Sequence, residues 1–189
     1  MSSLVMPDSA IAVSAPIAAA VITVSPVVNA DLPAIFDLNE RVFGPGRFTR
    51  TAYRIREGLP LISRFCLKAT LTEAGDTTLI AAIRFTEVTI GGQAGGLLLG
   101  PLAVETGYAG RGYGKQLIAD GMANATAAGL RICVLVGNLP YYSRFGFVVL
   151  PPGRIELPGP ADPARMLAAE LSPGALSEYR GVVCGVPSP

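Results

Sequence analysis

Histidine is absent from the 189-residue chain. That absence excludes Ser-His-Asp and Cys-His nucleophile systems and most zinc sites, so no metal is expected. Acid–base chemistry then falls to Glu, Asp, Tyr, Lys, Cys or water. Charge is scarce as well: 15% of residues are charged against 50% hydrophobic, and the net charge is +1. A chain this apolar builds a core and is not disordered, and near-neutrality gives no reason to expect nucleic acid or a membrane surface as partner. Cysteine is limited to Cys66, Cys133 and Cys184, an odd number, widely spaced among apolar neighbours. They read as buried thiols in a reducing compartment, not as a disulfide or metal framework. No basic residue precedes Arg41, so the Ala- and Val-rich start lacks the charged region of an export signal, and Pro16, Ser25 and Pro26 interrupt any membrane-length span. The expectation is a cytoplasmic protein, with a flexible leader over 1–16 and a single domain over 17–189.

The pattern of apolar residues predicts a strand over 19–25, followed by a helix that Asn29 or Asp31 can cap, with Ile35, Phe36, Leu38 and Val42 as its apolar positions. Between Gly44 and Gly58 lie Arg47, Arg50, Arg54 and Arg56, with Phe48 and Tyr53 among them. Helical spacing puts Arg50 and Arg54 on one face, either solvated or in contact with an acidic group. Strand-like runs cover 61–69 and 78–88, and Gly91–Gly96 reads as a hairpin loop before a strand over 97–104. A helix over 112–128 carries the apolar stripe Leu117, Ile118, Gly121, Met122 and Ala125, and Gly129 ends it. A buried strand over 131–137, a very short helix before Gly146, a strand over 147–150, a Pro/Gly-rich loop over 151–163 and strands over 165–171 and 181–185 complete the chain. This order describes a mixed α/β (α+β) layered domain.

The segment from Leu97 to Leu117 is the most informative. An apolar strand broken by Gly100-Pro101 runs into Gly110, Gly112 and Gly114 and then a helix, an arrangement that offers backbone N–H groups to phosphates. Glycine followed by proline inside a strand also implies a bulge or splay. The spacing is not that of a P-loop, because Gly114-Lys115 is followed by Gln116 and the position five before Gly114 is Ala109. Nor is it a dinucleotide fingerprint: Gly110-Arg111-Gly112-Tyr113-Gly114 is G-x-G-x-G, and no carboxylate lies around Cys133–Val136.

Three blocks, Leu99–Val104, Ala109–Gly114 and Tyr141–Phe147, together resemble the GCN5-related N-acetyltransferase (GNAT) superfamily. The likeness is closer to a bacterial subgroup of small predicted N-acetyltransferases with G-P-L-A-V before the loop and Y-Y-x-R-F-G-F after the next strand. Phe43–Gly58 and Leu157-Pro158-Gly159-Pro160 are also typical of that subgroup. The resemblance implies the acyl-CoA N-acyltransferase fold, a mostly antiparallel twisted sheet splayed between strands four and five and flanked by helices. It implies acetyl-CoA as cosubstrate and direct attack of a primary amine, from a small molecule or peptide, on the thioester. The same fold can also serve as a non-catalytic acyl-CoA-binding module, and a homodimer is compatible with it.

Residue by residue, the resemblance assigns the pantetheine arm to backbone groups of Leu102, Ala103 and Val104. One of those amides would stabilise the developing oxyanion. The pyrophosphate falls to the loop amides of Gly110, Arg111, Gly112, Tyr113, Gly114 and Lys115, and Ala109 and Asn138 are further cofactor-binding positions. Ala109 departs from the family pattern, which has Gln or Arg there, so Arg111 and Lys115 are left to supply positive charge. Tyr142, four residues before Gly146, takes the position of the family's general acid. Tyr141, Phe145 and Phe147 read as packing residues. Glu87, Glu105 and Glu40 are the candidate bases, with Glu87 chosen because it lies on the strand before Gly91, although an amine arriving deprotonated needs no dedicated base.

Overall fold

A computed structural model describes residues 20–44 and 54–186. The leader and the arginines Arg47 and Arg50, with Phe48 and Tyr53, lie outside the described residues. Strand β1 (Val21–Pro26) leads through a short turn into α1 (Leu32–Phe43). Strands β2 (Leu67–Glu73), β3 (Asp76–Ile90) and β4 (Gln93–Val104) form a meander, followed by α2 (Tyr113–Ala127) and β5 (Ile132–Val136). Then come the four-residue α3 (Leu139–Tyr142), β6 (Val148–Val149), β7 (Ile155–Glu156), β8 (Met166–Glu170), α4 (Ala175–Glu178) and β9 (Gly181–Gly185). The nine strands make one sheet in the order β1-β2-β3-β4-β5-β8-β6, with β9 paired to the end of β3 and β7 to β9. Pairing is antiparallel except at β4–β5 and β7–β9. The mixed, mostly antiparallel sheet read from the sequence is therefore present.

Packing follows from the strand pattern. Leu97-Leu98-Leu99 is an unbroken apolar run because β4 is buried on both faces. On one side Leu97 and Leu99 join Phe85, Cys133 and Leu135 beneath Leu117, Ile118 and Ala125 of α2. On the other, Leu98 joins Val88, Ile132, Val134 and Tyr179. Leu38 of α1 rests on the small side chains of Ala82 and Ala103. Among the described residues no helix is long and apolar enough to cross a membrane.

Several expectations need correction. The glycine-rich stretch at 91–96 is not all loop: Gly91 and Gly92 make the turn, and β4 already begins at Gln93, with Gly96 opposite Val88. A Cβ at 96 would lie 3.0 Å from Val88 and 3.3 Å from Ile90, a tight fit, so glycine there serves strand packing. The strand placed at 61–69 starts only at Leu67, because Ser63 turns the chain, donating to Phe85 O at 2.7 Å while its own carbonyl accepts from Cys66 N at 3.0 Å. Cys66 and Cys133 are buried, whereas Cys184 is exposed. Strand alternation explains this: Val183 points inward, so Cys184 points out.

Asp31 ties the entry of α1 to the sheet. Its carboxylate pairs with the Lys68 ammonium and accepts from Val28 N at 2.8 Å. Partial burial works to raise this carboxyl, but the Lys68 and Val28 hydrogen bonds outweigh it and hold the group below its ordinary 3.8. A depressed carboxyl contributes stability that is present above its unfolded value and lost as pH falls through the folded value. Asp31→Asn, which keeps an acceptor for Val28, is expected to lower stability by about 1 kcal/mol near neutral pH. Thermal melts should show that difference closing at acidic pH, and an undiminished difference at acidic pH would rule out the ion pair as its source.

Candidate active site

The parallel β4–β5 contact is brief. Gly96, Leu97 and Leu98 pair with Ile132, Cys133 and Val134, and from Leu99 onward β4 has no strand partner on that side among the described residues. Gly100 and Pro101 explain the parting. Ile83 faces Leu102 and Phe85 faces Leu99, so Gly100 and Pro101 together oppose Arg84 in a bulge. Beyond it β4 stays with β3, pairing Leu102, Ala103 and Val104 with Ile83, Ala82 and Ala81. β5 continues with β8, Leu135 and Val136 facing Leu167 and Met166. The strands diverge as a V, and the outward backbone groups of Leu102–Val104 lack a strand partner among the described residues. Buried backbone groups demand one, and an extended ligand can supply it.

The V opens a cleft of about 620 Å³. One wall is Leu99–Leu102; the other is Leu135–Asn138 with Tyr141 and Tyr142, closed over by Pro160, Ala161, Asp162 and Arg165, and Phe43 and Arg56 complete the lining. Arg56 is buried and donates from Nε to Thr86 Oγ1 at 3.0 Å. Among the described residues, this lining contains no Cys, Ser, Thr or Lys.

The glycine loop follows β4 directly. A single turn at Thr106–Tyr108 ends in Ala109, whose N–H donates to Thr106 O at 3.3 Å. Gly110 and Gly112 have φ of 77° and 96°, values an L side chain rarely adopts, and a Cβ at either would meet nothing within 4 Å. The helix's first bond runs from Gln116 N to Gly112 O at 3.0 Å. The amides from Gly110 to Lys115 thus have no backbone carbonyl partner among the described residues. They form an open cradle at the positive end of a four-turn helix. Arg111 stacks over the Tyr108 ring at 5.3 Å, and Lys115 is exposed beside it. Gly114 has a different reason to be glycine: a Cβ there would lie 3.1 Å from Tyr141 Oη and 3.3 Å from Val104 Cγ2. Tyr141 therefore joins the loop to the cleft.

Tyr142 stands in the cleft wall at the end of α3. Asn138 positions that helix, its carbonyl accepting from Tyr141 N at 3.0 Å and Tyr142 N at 3.3 Å. The Tyr142 ring packs edge-on against Tyr141, with centroids 4.9 Å apart, and against Phe147 at 5.7 Å. Gly137 leaves room for it, since a Cβ at 137 would lie 2.5 Å from Tyr142 Cε2. The hydroxyl has no hydrogen-bond partner among the described residues. Burial first, then the neighbouring Tyr141 and Cys133, push it up to about 12. The phenol is consequently protonated at neutral pH. Cys133 behind it is fully buried, and burial drives its thiol upward too, which makes it a core residue and not a nucleophile.

The structure brings together Leu102, Asn138 and Tyr142 in the cleft, with Ala109–Lys115 at its end. Ala103 is wholly buried against α1, so only its backbone is available to a ligand. Glu87 is not brought in: it does not line the cleft, pairs across the sheet with Leu97, and its carboxylate lies 3.3 Å from Arg64 Nε. Glu105 is taken by Arg41 at 2.8 Å, and that hydrogen bond holds its carboxyl below the usual range. Glu40 is exposed on α1 and also outside the cleft. Asp162 and Arg165 are polar lining residues that sequence reasoning passed over, because Asp162 sits in a stretch read only as a Pro/Gly-rich loop and Arg165 opens a stretch read as a strand. An aspartate directly before a proline was the available signal.

A twisted sheet with a splayed parallel pair, and a glycine cradle opening the helix between those strands, define an acyl-CoA N-acyltransferase fold. In fold and in sequence the chain is similar to GNAT family N-acetyltransferases. The N-acetyltransferase YhbS of Escherichia coli, described as uncharacterized, is 25% identical over 154 residues, covering 81% of this chain and 89% of that protein. Its crystal structure in complex with CoA matches 92% of this chain and 93% of its own with a TM-score of 0.69. A GNAT family acetyltransferase from Brucella melitensis in complex with acetyl-CoA matches at 26% identity and a TM-score of 0.62, over 87% of this chain and 96% of its own. No protein-family model matches the sequence.

Proposed function

We propose that this protein is an N-acetyltransferase that moves the acetyl group of acetyl-CoA to a primary amine by direct attack on the thioester. The observation that carries the reading is Tyr142, a protonated phenol set in the gap between β4 and β5, at the far end of which the open amides of Gly110–Lys115 begin. The chain's own groups fit the cosubstrate. The unpartnered edge of Leu102–Val104 suits the amides of a pantetheine arm, and the cradle with Arg111 and Lys115 suits a pyrophosphate. Bound there, acetyl-CoA supplies an acyl carbon activated by its thioester. Backbone N–H groups of the β4 edge stabilise negative charge on the acyl oxygen. The Tyr142 hydroxyl donates a proton to the departing sulfur. Among the described residues the cleft lining offers no thiol, Ser or Thr hydroxyl, or amine to carry the acetyl group, which supports transfer without a covalent enzyme intermediate.

Thiol release from acetyl-CoA across a panel of primary amines, from polyamines to peptide N-termini, tests this. Release that depends on both the amine and the enzyme is expected. Coenzyme A binding, read as a raised Tm, without release for any amine would make the protein an acyl-CoA-binding module instead.

A further inference from the structure

With Glu87 outside the cleft, the protons of an incoming amine must go to another group. Asp162 is the one carboxylate among the described residues that line the cleft, and it shares that cleft with Tyr142. We propose that Asp162 holds the acceptor's ammonium there and takes its proton, directly or through a water. The assignment rests on the acetyltransferase reading above and makes the acceptor a primary amine that arrives as a cation.

The position of Asp162 is built and not incidental. Its Oδ1 accepts from Ala164 N at 3.0 Å, and its carbonyl accepts from Arg165 N at 3.0 Å. The Arg165 carbonyl accepts in turn from Gly137 N at 2.9 Å. These bonds fasten the loop to the end of β5, beside Asn138 and the helix that presents Tyr142. Pro160 and Pro163 fix φ on either side, limiting the loop's own freedom. One carboxylate oxygen is thereby spent on the backbone, while Oδ2 carries no hydrogen bond among the described residues.

Proton accounting fits two groups on two walls. An ammonium loses two protons on becoming an amide nitrogen. The first frees the lone pair that forms the C–N bond; Asp162 receives it and passes it to solvent. As the C–S bond breaks, its electron pair goes to sulfur, and Tyr142 supplies the proton sulfur takes. The second nitrogen proton replaces that one through water. The products are an amide, a thiol and one proton in solution.

Asp162→Asn isolates the charge, because the asparagine oxygen can still accept from Ala164 N and keep the turn. Thiol release with acetyl-CoA is measured against pH for n-butylamine and for the less basic glycinamide. The variant should keep wild-type coenzyme A affinity and Tm. Its kcat/KM for n-butylamine should fall about 10²-fold near neutral pH. That deficit should shrink as pH rises toward the amine's own pKa, and be smaller for glycinamide at any one pH. Wild-type kcat/KM in the variant, or a deficit constant across pH and amine, overturns the assignment while leaving the acetyltransferase reading intact. No release from the wild-type protein with these or any other primary amine of the panel overturns that reading, and Asp162's role with it.

Discussion

Tyr142→Phe is expected to lower turnover by about 10²–10⁴-fold, the usual worth of a positioned general acid. Coenzyme A affinity should be unchanged, because the hydroxyl acts on charge that develops only as the C–S bond breaks. The substitution removes one oxygen from a ring held by Tyr141, Phe147 and the bare Cα of Gly137, so packing is preserved. A phenol pushed up to about 12 looks too weak an acid for a thiolate of ordinary basicity. The burial that raises the phenol, however, also raises any thiolate formed against it, as it does for the neighbouring Cys133 thiol. The difference between donor and acceptor governs transfer, and burial moves both the same way. The sign of the pH dependence follows: the acid is lost only when pH rises through its raised value. An alkaline fall in kcat well below pH about 12 must then come from another group, and Tyr142→Phe should leave such a fall in place. Turnover of the Phe variant within threefold of wild type would remove Tyr142 from the chemistry.

How much of this was readable in the sequence depends on how local each cause is. The Gly-Pro break, the glycine loop and the Y-S-R-F-G-F block are short and self-contained, so the bulge, the cradle and the Tyr142 site could be placed by number. The same locality gave α2, whose stripe at Leu117, Ile118 and Ala125 is buried as expected. The strand limits were less legible, because Gly96 looks like turn chemistry until Val88 and Ile90 are found packed over it. Which carboxylate reaches the cleft was hard to read for a related reason. Glu87 has the right residue type on a neighbouring strand, but which edge of a long strand reaches the cleft is decided by pairing: Glu87 faces Leu97, on the closed side of the bulge. Asp162 reaches the cleft through the Gly137–Arg165 hydrogen bond, a contact between residues far apart in the chain that no window of sequence displays.

The second large effect is on stability, at Gly121→Ala. Glycine inside a helix normally costs about 1 kcal/mol relative to alanine, so this exchange should stabilise α2 if nothing opposed it. Phe85 opposes it. A Cβ at 121 would lie 2.6 Å from Phe85 Cζ and closer still to Cε2, and Phe85, on β3 beneath α2, is wholly buried. The helix must lift from β3 or the ring must push into Leu99, and overpacking of this kind costs about 1–3 kcal/mol. Less the helix gain, the net loss is up to about 2 kcal/mol, and at roughly 2–4 °C per kcal/mol for a domain of this size a Tm drop of up to about 8 °C is expected. The displacement also reaches the site, because α2 carries the glycine cradle at its N-terminus and Phe85 pairs with Leu99 at the start of the V. Coenzyme A affinity should therefore fall together with Tm. Phe85→Leu in the same chain should recover part of both losses, since the two residues share one contact and their effects cannot be additive. A Tm for Gly121→Ala at or above wild type would mean that α2 sits farther from β3 than this packing allows.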